Sequence, residues 1–273
     1  MPTLSLADCE LHYEDHGTGE PLLLLHGLGG SGRDWAPQIT RFAATHRVLV
    51  CDVCGHGKSS KPPGPYSIAG FGRHAAELLR RVASGPAHVV GLSMGGMIAF
   101  QLAVDAPELV RSLVIVNSGP ELVPRNLQER WALWMRVMTV RWLGLPKMAA
   151  VLAPRLFPGP ELAAERQAFV EQFVANDPVA YLAALKALIG WRVTDRIGGI
   201  RAPTLVVASE LDYTPASRKE EYARRMPNAR LVVVPDAHHA LPMELPDRFD
   251  RVLASWLSEQ AAAPAPAGQE TIR

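Results

Sequence analysis

The chain has 273 residues, 48% of them hydrophobic and 20% charged, with a formal net charge of +1. That is material for one sizeable core, with or without an insertion, and it gives no global electrostatic pull toward nucleic acid or an anionic membrane. The first fifteen residues, MPTLSLADCELHYED, lack a basic stretch followed by an apolar one, and no apolar run approaches the roughly 20 residues that span a bilayer. No signal peptide or membrane partner is therefore expected, and the expected location is cytoplasmic.

Thr3–Asp15 is polar enough for an antiparallel edge hairpin. Short apolar runs follow at residues 21–27, 47–53, 88–93, 112–118, 203–209 and 230–237. They are rich in Val and Leu and do not alternate, as in parallel strands buried on both faces. Helical spacing fills the gaps. Phe71, His74, Ala75, Leu78, Leu79 and Val82 share one face, with Ser67 as the cap. Met97, Ile98, Phe100, Leu102 and Ala103 form another helix, closed by Pro107, and Phe249, Val252, Leu253, Trp256 and Leu257 form a last one. Strand and helix in alternation predict an α/β fold with a doubly wound, mostly parallel sheet.

One stretch breaks the alternation. Residues 121–196 contain no convincing strand, and Leu127, Trp131, Trp134, Met135, Met138 and Trp142 follow one amphipathic stripe. Further helices are expected around Phe169–Phe173 and Leu182–Ile189. The expected organisation is a core of 1–120 and 197–258, a helical cap of 121–196, and an Ala/Pro-rich, disordered tail of 259–273.

Three cysteines, Cys9, Cys51 and Cys54, are too few for a disulfide framework. Cys51-x-x-Cys54 allows a redox pair, against the plainer reading of one core and one loop residue. It lacks the second Cys/His pair of a zinc site, so no metal is expected.

Gly91-Leu92-Ser93-Met94-Gly95 fits G-x-S-x-G between an apolar run and a helical one. That context marks a nucleophile elbow, a sharp turn that lifts a serine hydroxyl off a sheet. A serine hydroxyl needs a base, and the base needs an orienting acid. Asp212 lies three residues beyond the run ending at Ser209, where open α/β sheets build their sites. His239 follows the last run, and Glu210, Asp195 and Asp236 compete with Asp212 as the acid. Ser93, Asp212, His239 is the order such folds use.

These residues resemble the α/β-hydrolase superfamily, in its branch of small bacterial serine esterases and enol-lactonases. His26-Gly27-Leu28-Gly29-Gly30 is similar to its H-G loop, Asp52-x-x-Gly55-His56-Gly57-x-Ser59 to its D-x-R-G-x-G-x-S turn, and His239-x4-Glu244-x-Pro246 to its ending. The last spacing selects His239 over His238. The resemblance implies an oxyanion hole from the Leu28 and Met94 backbone N–H groups, and no cofactor. Cys54 stands where the family usually has Arg, and His238 where it often has Gly.

The resemblance implies cleavage of carboxylic esters or lactones through an acyl-enzyme. A C–C bond hydrolase or a perhydrolase would use the same triad, and a ligand-binding protein could retain it. Serine at the elbow disfavours the alkyl-enzyme chemistry of relatives carrying Asp there. If the cap stripe reaches the site, Trp131, Trp134, Met135 and Met138 would bind an apolar or aromatic substrate. Arg125, Arg130, Arg136, Arg141, Lys147 and Arg155 outnumber Glu121 and Glu129, which fits either a solvated face or attraction of an anionic substrate.

Overall fold

The computed structural model describes residues 2–262. The apolar runs form an eight-stranded sheet in the order β1-β2-β4-β3-β5-β6-β7-β8. Its strands are β1 (Thr3–Ser5), β2 (Glu10–His16), β3 (Glu20–Leu25), β4 (His46–Cys51), β5 (Ala87–Leu92), β6 (Val110–Val116), β7 (Thr204–Ser209) and β8 (Ala229–Val234). β1 pairs antiparallel with β2, and β2 antiparallel with β4, which makes the expected edge hairpin. Every other pairing is parallel. β5 and β7 are buried at every residue, which is why their sequences do not alternate.

The helices that matter to the site are α1 (Ala36–Phe42), α2 (Ile68–Val82), α3 (Met94–Asp105), α4 (Leu127–Leu156), α5 (Ala163–Val174), α6 (Pro178–Leu188), α7 (Ala216–Ala223), α8 (Leu241–Glu244) and α9 (Pro246–Ala262). The Ser67 hydroxyl accepts from Gly70 N–H and caps α2, as its position predicts. α3 is apolar almost all round and buried from Met94 to Ala103, which fixes it under the sheet's site end. Each large side chain buried in these layers contributes about 1.5–3 kcal/mol.

α4, α5 and α6 lie between β6 and β7. The two ends of this insertion are tied by a bridge between Glu121 and Arg192 and by Leu122 N–H donating to Trp191 O. Phe157, Phe173, Tyr181 and Leu185 form its own core, which packs on Leu28, Ala240 and Met243 of the sheet domain. α4 is broken at Gly144 (φ 75°), two residues before Pro146. α9 runs four residues past 258, to Ala262, and the rest of the tail expected to be disordered lies outside the described residues. No helix among the described residues is long and apolar enough to cross a membrane.

Candidate active site

β5 ends at Leu92 and α3 begins at Met94, so Ser93 carries the whole turn at φ 54°, ψ −115°. That is left-handed backbone, costly for a residue with a side chain. The surroundings enforce it. A Cβ on Gly91 would stand 2.2 Å from Gly95 O, and one on Gly95 would stand 2.0 Å from Leu25 O. Ser118, just past β6, donates its hydroxyl to Ser93 O at 2.6 Å. The nucleophile candidate is thus held by two closely packed glycines and a neighbouring strand end.

Asp212 follows β7 and His239 follows β8. His239 Nδ1 lies 2.5 Å from Asp212 Oδ1, as an imidazole N–H donating to a carboxylate. Glu210, the competing acid, accepts instead from Asp236 N–H. His238 is engaged elsewhere: its backbone N–H and ring Nδ1 both bond the buried Glu244 carboxylate at 2.6 Å. Among the described residues no hydrogen bond joins Ser93 to His239, but both line one cavity of about 420 Å³.

Lys219, on α7, has no counterpart in the sequence reading. It is fully buried, and its ammonium donates to Asp212 Oδ2 at 2.5 Å, Thr214 O at 2.8 Å and Thr214 Oγ1 at 2.9 Å. The Thr214 hydroxyl donates in turn to Asp212 Oδ2. Every ammonium proton is used, the condition for keeping a lysine buried. Burial opposes ionisation of Asp212, but bonds and charges from His239 and Lys219 outweigh it and hold the carboxyl well below the usual range.

Asn117 (φ 45°) is a second unforeseen residue. Its amide donates to Ser209 Oγ, His238 O and His239 O, and its oxygen accepts from Ser209 N–H, so the end of β6 holds the histidine loop in place. Tyr213 stacks on His239 with ring centroids 4.5 Å apart. Its only prior signal was adjacency to Asp212.

Leu28 lies in the loop after β3, and Met94 opens α3. Neither backbone N–H donates to another described residue. The insertion steadies the first loop: Asn176 donates to Gly29 O and Gln172 to Asp34. His26 is fully buried and structural, accepting from Val53 N–H at 2.9 Å. His56 is also buried, which pushes its pKa down to about 3.

The expected substrate contacts need correction. Trp131, Trp134 and Met135 are 61%, 49% and 41% exposed, and Met138 is half-buried; none lines the cavity. Glu129, Ala132, Leu133 and Arg136 from the adjoining face of α4 line it instead. The stripe marks the apolar face of the helix, but α4 lies on the site by its mixed face. Trp131 and Trp134 stack on each other, with centroids 4.8 Å apart. Arg125 pairs with Glu121 and Glu221, and Arg218 with Glu129, whereas Arg136 donates to the neutral Tyr181 hydroxyl.

Comparison with known proteins gives the same frame. A protein from Azorhizobium caulinodans named "Putative carbamate hydrolase RutD" is 34% identical over 266 residues, covering 95% of this chain and 99% of its own. The enol-lactonase from Burkholderia xenovorans LB400 superposes with a TM-score of 0.86 at 27% identity, covering 94% of this chain and 100% of its own. A thermophilic esterase from Thermogutta terrifontis, solved with malate bound, gives 0.83 at 28% identity, covering 92% and 94%. These likenesses support a hydrolase. Residues 20–246 match the family model of the alpha/beta hydrolase fold, so the chain belongs to the α/β-hydrolase family.

Proposed function

We propose that this chain is a serine hydrolase of small carboxylic esters or lactones, acting through Ser93, His239 and Asp212. The observation that carries the reading is the Asp212–His239 pair opening on the same cavity as a serine held in left-handed backbone.

Ser93 Oγ attacks the carbonyl carbon as its proton passes to His239 Nε2. Asp212 fixes the imidazole through Nδ1–H and stabilises the imidazolium. The carbonyl oxygen, now anionic, takes hydrogen bonds from Leu28 and Met94 N–H; each such donor is worth about 3–4 kcal/mol in the transition state. The tetrahedral adduct collapses to an acyl-enzyme, and His239 returns the proton to the leaving alkoxide. Water then gives a proton to His239 and attacks the acyl carbon, and collapse releases the acid and restores the Ser93 hydroxyl.

The cavity joins apolar walls (Leu122, Leu133, Leu185, Leu188) to the Arg136 guanidinium. It suits a small acyl group bearing an acidic substituent, since Arg136 has no carboxylate partner among the described residues. The relatives' names favour a second reading, a carbamate, which Ser93 would attack at the same carbonyl carbon. Its nitrogen makes that carbon less electrophilic, so a site not adapted to it turns it over more slowly. Measuring kcat/KM for p-nitrophenyl esters of increasing acyl length, beside the N-unsubstituted p-nitrophenyl carbamate, separates the two. Ester preference supports the first, carbamate preference the second, and turnover of either that survives Ser93→Ala rules out both.

A further inference from the structure

Cys54, the residue that departs from the family's turn, is not isolated. It lies with Cys9, from the turn before β2, and His74, from α2, in a buried group that contains none of Ser93, Asp212 and His239. One ligand atom from each falls within 4.8 Å of the other two. The site is stitched together locally: Ser60 donates its hydroxyl to Cys9 Sγ, and Cys54 Sγ donates to Ser60 O. Cys51 takes no part; it is buried on its own, with its thiol pushed up to about 12.

His74 supplies the decisive detail. Its Nε2 bonds Asp8 Oδ1 at 2.8 Å, while its Nδ1 is buried with no hydrogen-bond partner among the described residues. An imidazole held by a carboxylate through one nitrogen, with the other nitrogen unused, is how a metal-ligating histidine is oriented. An unused ring nitrogen inside a protein is otherwise a net cost.

We propose that Cys9, Cys54 and His74 form a binding site for a thiophilic d10 cation, with Zn2+ as the reference ion and Asp8 as the carboxylate that orients His74. Two thiolates and a neutral imidazole balance the ion's charge, and the fourth tetrahedral position stays open to solvent or to the Ser60 hydroxyl. Zinc–ligand bonds of about 2.0–2.3 Å place tetrahedral ligands about 3.6 Å apart, so the three side chains need to close by only about 1 Å. An ion bound by two thiolates displaces the thiol protons, so binding strengthens as pH rises. A surface hollow of about 330 Å³, lined by Asp8, Arg73, His74 and Glu77, lies beside His74.

The test uses the full chain, stripped with a chelator and kept reduced. Co2+ is titrated first, because thiolate ligation gives it an intense near-ultraviolet band that nitrogen and oxygen ligands do not. Zn2+ affinity is then read by competition with a chromophoric chelator. The expected result is one ion per chain, a band about halved or weaker in Cys9→Ser and in Cys54→Ser, and Zn2+ affinity about 100-fold weaker in either. Asp8→Asn should weaken binding by about 10-fold and leave the band in place. Circular dichroism of each variant confirms that it is folded. No band in the folded wild type, or wild-type affinity in both serine variants, overturns the proposal. Its outcome is independent of whether Ser93 is the nucleophile.

Discussion

The Gly91–Gly95 turn and helix α4 carried comparably strong patterns, yet only the first disclosed where its residues lie. At the elbow each residue type answers a local steric demand. Gly91 and Gly95 are needed because backbone atoms stand 2.2 Å and 2.0 Å from where a Cβ would be, and the motif therefore locates itself. Along α4, periodicity separates an apolar face from a polar one and says nothing about what either face meets. The Trp131–Trp134 face is exposed, while Arg136, one position beyond Met135, reaches the cavity. A motif that encodes a clash fixes geometry; one that encodes only amphipathicity fixes secondary structure.

Four variants sharpen this contrast. The largest effect is expected at Asp212→Asn, which keeps the shape but favours the wrong imidazole tautomer. kcat should fall by about 10⁴-fold with little change in KM, measured on a p-nitrophenyl ester. Gly95→Ala forces a methyl against Leu25 O. It should cost more than about 3 kcal/mol in urea unfolding and abolish turnover. If it is tolerated, the elbow is not held as tightly as the geometry requires.

Lys219→Met comes next. It leaves the buried Asp212 carboxylate without the Lys219 ammonium, so a loss of about 3 kcal/mol is expected. The sign of its pH dependence follows from the depressed Asp212 carboxyl. That group contributes stability above its unfolded value of about 4, and the contribution fades as pH falls through the lower folded value. Without Lys219 the folded value rises toward the unfolded one. The acid-unfolding midpoint should therefore move to higher pH, and the acid limb of kcat/KM should move the same way as Asp212 holds the imidazolium more strongly. A parallel profile with a simple stability loss would make Lys219 a packing residue only. The smallest effect is expected at Trp131→Ala, within about 0.5 kcal/mol and with KM unchanged. A tenfold rise in KM there would mean that the exposed face takes part in binding after all.

The sheet was legible because each apolar run is one fully buried strand, and Ser67 marked the start of α2 correctly. The places of Ser93, Asp212 and His239 just after strands were legible, and the structure bonds His239 to Asp212 and puts Ser93 and His239 on one cavity. What escaped were residues defined by distant partners. Asn117 is visible as a polar strand end, but its bonds reach Ser209 and His239, 92 and 122 positions away. Lys219 looks like any helical lysine until the fold turns it inward onto Asp212. Cys54 was read against Cys51, its neighbour in sequence, whereas its neighbours in space are Cys9 and His74.

The central claim is that Ser93 is an activated nucleophile. Treating the chain with a fluorophosphonate and mapping the adduct by peptide mass spectrometry tests it most directly. The account predicts one adduct per chain, on Ser93, slowed by about 10⁴-fold in Asp212→Asn and absent in Ser93→Ala. An adduct on another residue, or a wild type that turns over esters without labelling, would contradict it.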